Sequence, residues 1–330
     1  MIIHQLLISI AEKITDITPL IPYYHTVSNK KLIHVCHLHP YKNERQFIDD
    51  VDFLCKRYPP VSLGDLIDCA KHGKKLKKGS FIITFDDGYS QIYSIVAPIL
   101  LKKGVPAIFF LTSDFIDNKS LSYRNKASII VEHLLRNHNH LQDIQQALCG
   151  TLNVTSEQLA TRILAIRYQE ANVLEEIGLL LGIDFNEYLL NEQPYLTSAQ
   201  IRKLIEMGFY IGAHSIDHPY FKDLPLQDQL RQTISSLHFI KNNFGLAYSL
   251  FAFPHNDYSI DKEYFHKIEN IMDLTFGTCG IKKDPIATNL QRINFESTLR
   301  RASNILARQL IKKIIYGRSN NMTINRNIPN

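Results

Sequence analysis

Cysteine is scarce in this chain, and its distribution is irregular. Five cysteines are spread over 330 residues, and no two of them form a Cys-x-x-Cys pair. They are Cys36, Cys55, Cys69, Cys149 and Cys279. Scattered cysteines in odd number are typical of reduced thiols rather than of a disulfide framework. The cysteine pattern therefore predicts a protein of a reducing compartment, which we expect to be the cytoplasm.

Long hydrophobic runs are also missing. An apolar run near the start covers residues 6–11 and is ended by Glu12 and Lys13. It has no basic segment before it and no small-residue cleavage site after it, so it predicts an amphipathic helix rather than a signal peptide. No stretch approaches the roughly 20 apolar residues that a membrane-spanning helix needs. These absences favour a cytoplasmic location.

Neither sign of charge is in large excess. The chain has 37 Lys and Arg residues against 32 Asp and Glu residues, which gives a net charge of +5. No dense Lys/Arg stripe with interleaved aromatic residues is present, so the sequence predicts no nucleic-acid partner. The glycine signatures G-x-G-x-x-G and G-x-x-x-x-G-K-[ST] are absent too, and nothing therefore marks a Rossmann crossover.

The hydrophobic pattern alternates between short apolar runs and helical segments. The apolar runs predict strands at about residues 20–27, 81–85, 105–112, 209–215, 249–253 and 274–278. Helical spacing predicts helices at about residues 44–58, 61–73, 91–103, 199–207, 226–243 and 261–269. This alternation predicts an α/β fold built of parallel βαβ units.

Two segments depart from the alternation. Residues 114–195 are mostly helical and predict an insertion, whose role as a lid, a dimer surface or a specificity element stays open. Residues at about 297–316 predict a basic amphipathic helix, and packing on the barrel is favoured over peripheral contact with an anionic membrane. The tail from Asn320 is predicted to be disordered. We expect one domain over residues 1–330, and its oligomeric state is not indicated.

Residues that can do chemistry follow the predicted strands. They lie at or just past the strands' C-terminal ends and include His25, Asp86, Asp87, His214 and His255. In a β/α barrel, this face carries the active site. We therefore predict a barrel in preference to an open, doubly wound sheet.

The segment TFDDG, residues 84–88, places two adjacent carboxylates at the end of a predicted strand. Side chains of neighbouring residues diverge, so Asp86 and Asp87 lie in unlike surroundings. One carboxylate can bind a metal while the other stays free to act as a general base. A simple strand-to-loop turn is the alternative, because Asp-Gly is a common turn pair.

The segment HSIDH, residues 214–218, places two histidines four residues apart. On one turn of helix they would face the same way and could hold a zinc-like ion, although Pro219 requires that turn to be short or irregular. With Asp87 they predict a three-ligand site that leaves positions open for water and substrate. A structural or exposed histidine pair is the alternative. On spacing alone, His25 is more simply a packed strand-end residue than a general acid.

TFDDG followed by HSxxH more than a hundred residues later resembles the polysaccharide deacetylases of carbohydrate esterase family 4, which share the NodB homology domain. The resemblance covers about three quarters of the chain and is poor at residues 114–195. It implies a distorted (β/α) barrel of the NodB type with Asp86 as the general base. It also implies Asp87, His214 and His218 as ligands of one divalent metal ion, usually zinc.

Two later motifs of the family are altered here. The loop FAFPHN, residues 251–256, has Ala252 where the family has arginine and His255 where tyrosine is usual. The resemblance implies that the backbone N–H of His255 can still hold an oxyanion, and Arg292 is a candidate to replace the missing arginine. The usual C-terminal Leu-x-His motif is not visible. The early YYHTV is instead similar to the circularly permuted poly-N-acetylglucosamine deacetylases, and this implies His25 as the general acid.

Together these features predict a metal-dependent hydrolase that removes acetyl groups from N-acetylated sugars. The expected partner is an acetylated carbohydrate, and the absence of a signal segment favours a cytoplasmic one, such as a sugar nucleotide or a lipid-linked precursor. Two alternatives stay open: a glycan-binding relative with impaired catalysis, and an esterase for O-acetylated sugars. A two-metal phosphoesterase is disfavoured, because the sequence supplies ligands for one metal only.

Overall fold

Eight short parallel strands form the centre of the molecule. The computed structural model describes residues 17–296, 299–316 and 322–327. The strands are β1 (Pro22–Tyr24), β2 (Ile83–Phe85), β3 (Ala107–Leu111), β4 (Tyr210–Ala213), β5 (Leu250–Ala252), β6 (Leu274–Gly277), β7 (Asn289–Gln291) and β8 (Ile293–Asn294). Their order in the sheet is β7-β6-β5-β4-β3-β2-β1-β8. From β1 to β7 this is the order of the chain itself, as consecutive βαβ units produce.

The strands β7 and β8 close the sheet into a barrel. They form one extended stretch, interrupted only at Arg292, whose first part pairs with β6 and whose second part pairs with β1. The backbone N–H of Arg292 donates to Gly277 on β6 (3.1 Å), whereas that of Ile293 donates to Ile21 beside β1 (2.9 Å). The predicted β/α barrel is thus confirmed, and the strand that changes partners distorts it. This last stretch is polar at four of its six positions, and the hydrophobic pattern did not predict a strand there.

Helices surround the barrel and fill the predicted insertion. In the described part of the chain they are α1 (Glu44–Arg57), α2 (Leu63–His72), α3 (Ala97–Lys103), α4 (Tyr123–Arg136), α5 (Gln142–Leu152), α6 (Ser156–Leu164), α7 (Asn172–Leu180), α8 (Phe185–Glu192), α9 (Ser198–Glu206), α10 (Leu226–Phe244), α11 (Lys262–Ile268) and α12 (Ala302–Tyr316). Polar side chains begin several of them: Asn43 and Thr197 form capping boxes at α1 and α9, and Ser62 caps α2. These caps satisfy backbone N–H groups that the first turn leaves unpaired.

The strand side chains alternate between two apolar clusters. In β3, Phe109 and Leu111 pack with the surrounding helices, whereas Ile108 and Phe110 join a cluster made mainly of other strand residues. This period of two is the period of an extended strand. Gly212 on β4 makes room for the second cluster, because a Cβ there would lie 2.5 Å from the ring of Phe110.

The helical insertion is also confirmed. The helices α4 to α8 follow β3 and build an apolar cluster of their own. Tyr89 and Tyr195 stack at its base, with ring centroids 5.6 Å apart. The backbone N–H of Ser90 donates to Pro194 (2.8 Å), and that of Leu196 donates to Gly88 (2.8 Å). The insertion is therefore fixed directly beside the TFDDG turn.

The helix α12 packs against the barrel. It begins at Ala302 rather than near residue 297, and residues 297–298 lie outside the described part of the chain. Ile305 and Leu310 are buried in the cluster between the barrel and its helices. The predicted amphipathic helix at residues 6–11 also lies outside the described residues. Among the helices that are described, none combines the length and the apolar character that a membrane crossing requires.

The prediction of a disordered tail from Asn320 is wrong for residues 322–327. Arg326 is 3% exposed, and its Nη2 lies 2.5 Å from a carboxylate oxygen of Asp257 and 2.5 Å from one of Asp284. Its Nη1 donates to the backbone carbonyl of Asp257. Polar composition suggested solvation, but paired charges can be buried when each finds its partners. The tail thereby anchors the loop that follows β5.

Candidate active site

A cavity of about 270 Å³ opens at the C-terminal ends of the strands. Six of the seven residues predicted for the site line it, namely His25, Asp86, Asp87, His214, His218 and His255. The seventh, Arg292, is completely buried and contacts Asp86. The structure therefore brings together all the residues that the sequence analysis singled out, although they follow different strands.

Asp87, His214 and His218 form one cluster in the cavity. The Nε2 atoms of His214 and His218 lie 3.5 Å and 3.2 Å from Asp87 Oδ1. His214 Nδ1 donates to the backbone carbonyl of Ala252 (2.8 Å), so the lone pair of the neutral ring is on Nε2. Asp87 Oδ1 is buried and has no hydrogen-bond partner among the described residues. Three donor atoms thus face one point, which is the arrangement that a bound cation satisfies.

The two turns that carry this cluster have unusual backbone geometry. Asp87, Ser215 and His218 have φ values of 69°, 69° and 66°, in the left-handed region. Non-glycine residues there cost on the order of 1–3 kcal/mol each, and they concentrate at functional sites. Residues 214–218 are not helical; they form an irregular loop, as Pro219 indicates, and this loop places the two rings together. The backbone N–H of His218 donates to Ser215 Oγ (3.0 Å).

Asp86 is bound to Arg292 instead of to the histidine cluster. The Nη1 and Nη2 atoms of Arg292 donate to the two carboxylate oxygens at 2.6 and 2.8 Å. Arg292 also donates to Thr84 Oγ1 and to the Gly277 carbonyl (both 3.2 Å), and it lies over two aromatic rings. Burial raises the pKa of Asp86, but the arginine and the neighbouring histidines outweigh it and hold that pKa below the usual value. Asp86 is therefore ionised and fixed in orientation.

His25 is held by a second carboxylate, that of Glu296. The His25 Nδ1 forms an ion pair with Glu296 Oε1, and the His25 backbone N–H donates to Oε2 (3.0 Å). Burial lowers the pKa of His25, but the Glu296 carboxylate more than reverses this and raises the pKa from 6.5 to about 9. At neutral pH the ring is thus an imidazolium, as a general acid must be.

Sequence reasoning missed Glu296 and His39. The ring of His39 lies 4.3 Å from that of His25, and its Nδ1 is 3.4 Å from Glu296 Oε1. Glu296 follows β8, the barrel neighbour of β1, so recognition of that strand would have placed its end beside His25. His39 lies in a loop between β1 and α1 and had no comparable signal in the sequence.

His255 adds its ring to the cavity wall as well as its backbone. The ring stacks on Tyr220 with centroids 3.5 Å apart and lies 4.5 Å from the ring of His218. Its Nε2 is buried and has no hydrogen-bond partner in the described part of the chain. Burial is the main reason that the pKa of His255 lies well below its usual value, and the Arg124 guanidinium lowers it further. The ring is therefore neutral and immobilised beside the histidine cluster.

Among the described residues, three groups have donor atoms close enough to share a metal ion. In one, Glu132 already binds Lys31, Arg136 and His37, so its charge is satisfied. In another, Glu296 is engaged by His25. Only Asp87 with His214 and His218 presents lone pairs without a counter-cation. One carboxylate and two imidazoles are a donor set that suits zinc and leaves a coordination position open.

A family of known sequences matches more than half of the chain, including four of the eight strands, β2 to β5. A sequence model described as polysaccharide deacetylase matches residues 73–270. The matched span contains both aspartates and the histidines from β4 and β5, whereas His25 and Arg292 lie outside it. Poly-β-1,6-N-acetyl-D-glucosamine N-deacetylase of Escherichia coli (strain K12) is 35% identical over 60 residues, which are 18% of this chain and 9% of that relative. The alignment thus spans less than a tenth of the relative's length.

Solved structures with the same fold cover nearly the whole chain. The deacetylase PplD of Streptococcus pyogenes, in complex with acetate, superimposes with a TM-score of 0.58 at 12% identity, over 90% of this chain and 99% of that chain. IcaB from Ammonifex degensii gives 0.56 at 15% identity, over 90% and 97%. A de-N-acetylase from Aggregatibacter actinomycetemcomitans gives 0.54 at 15% identity, over 84% and 95%. At these identities, the likeness concerns the fold.

Proposed function

Because this chain belongs to the polysaccharide deacetylase family, we propose that it is a metal-dependent hydrolase that removes acetyl groups from N-acetylated sugars. One observation carries the proposal: two adjacent carboxylates in one cavity have separate partners. Asp87 faces two imidazoles, whereas Asp86 is held by Arg292. A protonated His25 lines the same cavity, so our candidates for the base, the acid and the metal ligands lie close together, which supports the proposal.

Asp87 Oδ1 and the Nε2 atoms of His214 and His218 would hold one divalent ion, for which zinc is our candidate. Such an ion would polarise the acetyl carbonyl and lower the pKa of a bound water. Asp86 then takes a proton from the attacking water as the general base. Arg292 is a positioning residue, since it keeps Asp86 ionised and aims its oxygens.

His25 supplies the proton that the leaving amine requires. Cleavage of an amide needs this step more than cleavage of an ester does, because an unprotonated amine leaves poorly. Glu296 supports the step by raising the pKa of His25 to about 9, so that the ring is protonated at neutral pH. The backbone N–H of His255 is our candidate donor to the oxyanion of the tetrahedral intermediate.

The decisive experiment compares substitutions at the two aspartates. Asp86→Asn should abolish acetate release from N-acetylglucosamine oligosaccharides while the bound metal, measured by elemental analysis, is retained. Asp87→Asn should lose the metal as well as the activity. Loss of metal from the Asp86→Asn variant, with retention in the other, would show that the roles of the two residues are exchanged.

A glycan-binding protein without catalysis is the second candidate, and the substitution of Ala252 for the family's arginine favours it. Arg292 weakens this candidate, because its bidentate contact with Asp86 supplies an arginine to the base from another strand. The two candidates differ in one measurement. A metal-loaded protein that binds acetylated oligosaccharides but releases no acetate from N- or O-acetylated sugars would be the binding protein.

A further inference from the structure

Arg124 is a cation in the cavity that the proposed reaction does not use. It lies in the first turn of α4, in the helical insertion, and its side chain lines the cavity together with the catalytic residues. No other lysine or arginine of the described chain lines this cavity. The insertion therefore contributes a positive charge to a site that is otherwise built from the barrel.

The charge of Arg124 has no acidic partner within the described residues. Its Nη1 donates to the backbone carbonyl of Leu164, at the end of α6 (2.6 Å). The carboxylates that line the cavity are those of Asp86, which binds Arg292, and of Asp87, which faces His214 and His218. One N–H group of the guanidinium thus has a structural role, and its other N–H groups are available to a ligand.

The position is electrostatically unfavourable for a lysine or arginine. The first turn of a helix carries the positive end of the helix dipole, so a cation there is repelled. The Leu164 carbonyl at the end of α6 offsets part of this repulsion. A neutral hydrogen-bond donor would satisfy that carbonyl equally well, so the contact does not explain why the residue is charged. A planar guanidinium with unused donors matches the oxygens of a phosphate or a carboxylate.

We propose that Arg124 binds an anionic substituent of the substrate, so that this chain prefers N-acetylated sugars that carry a phosphate or a carboxylate over neutral ones. The inference rests on the proposed deacetylase function and narrows its substrate class. The neighbouring wall is rigid, because the amide of Asn125 bonds to Tyr89, Tyr195 and the carbonyl of His34. Arg124 is thus presented by a fixed helix end and not by a mobile loop.

The test compares matched substrates and matched variants. Acetate release is measured from N-acetylglucosamine, N-acetylglucosamine 1-phosphate and N-acetylmuramic acid, with the metal-loaded protein. In Arg124→Gln, which removes the charge, KM for the anionic sugars should rise roughly ten- to a hundredfold, as expected for loss of a charged hydrogen bond. Neutral N-acetylglucosamine should be unaffected. Arg124→Lys should fall between the two proteins, because it keeps the charge and loses the fork.

Lys222 offers the matched control. Its Nζ lies 5.4 Å from the ring centroid of Tyr220, at the edge of the cavity, but it does not line the cavity itself. Lys222→Gln removes the same charge and should leave all KM values unchanged. An equal effect of Arg124→Gln on neutral and anionic sugars, or no preference of the unaltered protein for anionic sugars, would overturn the proposal.

Binding measurements distinguish a failure of the anion site from a failure of the proposed deacetylase function. Calorimetry should show N-acetylglucosamine 1-phosphate binding to the unaltered protein and about tenfold weaker binding to Arg124→Gln. If no sugar is deacetylated but this difference is found, the proposed function fails and the anion site stands. If the sugars are deacetylated and the difference is absent, the anion site fails alone.

Discussion

Replacement of Glu296 by glutamine tests the proposed role of His25 as a general acid. The amide has nearly the shape of the carboxylate but no charge, so it can still accept a hydrogen bond from the backbone N–H of His25. The change therefore removes the electrostatic support of the imidazolium and little else. We expect activity at pH 8 to fall, because the acid is then largely deprotonated.

The size of the expected change in the pKa of His25 follows from the surroundings of its ring. Burial opposes protonation, and Glu296 overcomes this to raise the pKa of His25 from 6.5 to about 9. This rise corresponds to about 3 kcal/mol in favour of the protonated ring. In Glu296→Gln the burial remains and the carboxylate is gone, so the proton affinity of His25 should fall at least about tenfold.

The assay is the pH dependence of kcat/KM for acetate release from an N-acetylated sugar, because this ratio reports groups of the free enzyme. Activity of the unaltered protein should decline on the alkaline side near pH 9, and the decline should move at least about one pH unit lower in Glu296→Gln. An activated acetate ester, whose leaving group needs no proton, should lose much less activity. An unmoved alkaline limb, or equal losses on amide and ester, would refute the assignment of His25.

The pH dependence of the free energy of unfolding tests the His25–Glu296 pair independently. The folded-state pKa of His25 is raised, so the pair stabilises the fold fully below pH 6.5 and loses this contribution as pH rises through about 9. The free energy of unfolding in urea should therefore decline over this window in the unaltered protein and much less in Glu296→Gln. Glu132→Gln is the matched control, since Glu132 also pairs with a histidine, His37, but outside the cavity.

Substitutions at three other residues test the contacts that support the site. Arg292→Met leaves Asp86 buried without its partner, so the free energy of unfolding in urea should fall by about 3–5 kcal/mol and acetate release should be lost. Arg326→Met should destabilise by a similar amount in the same titration, because Asp257 loses its buried counter-charge; Arg326→Lys should cost less. Gly277→Ala would place a Cβ 2.2 Å from the Asp257 carboxylate, and thermal unfolding should show a loss of roughly 1–3 kcal/mol.

Much of the barrel could be predicted because its strands are buried on both faces and therefore appear as continuous apolar runs. The exception is the stretch 289–294, which is polar except at two positions. Its polar side chains form tertiary hydrogen bonds. Gln291 and Asn289 donate to Asp257, the partner of Arg326 in the tail, and Arg292 donates to Asp86 in the site. Local apolarity was absent at this strand because tertiary hydrogen bonds replace apolar packing there.

The residues of the site show the same difference: those in local sequence motifs could be predicted, and those placed by tertiary structure could not. Asp87, His214 and His218 lie in compact motifs at the ends of predicted strands, and in a β/α barrel the strand ends meet at one face, so they were expected near one another. The partners Glu296 and His39 come from segments whose position depends on barrel closure and loop path, which no local pattern records. The exact path of the loop that holds the two histidines could not be predicted, because positive φ values at a serine and a histidine have no sequence signal as strong as glycine.

The place of Arg292 couples closure of the barrel to the orientation of the proposed base, Asp86. Its backbone is the point where the last strand leaves β6 for β1, and its side chain reaches Asp86, which directly follows β2. In a closed barrel every strand end borders the same interior, so an arginine can serve the base from any strand whose side chain points inward. Position 252 on β5 is an alanine and cannot contact Asp86 as an arginine would, and Arg292 on the closing strand makes this contact instead. A change that loosens this closure should therefore weaken the base even when every residue in the cavity is intact.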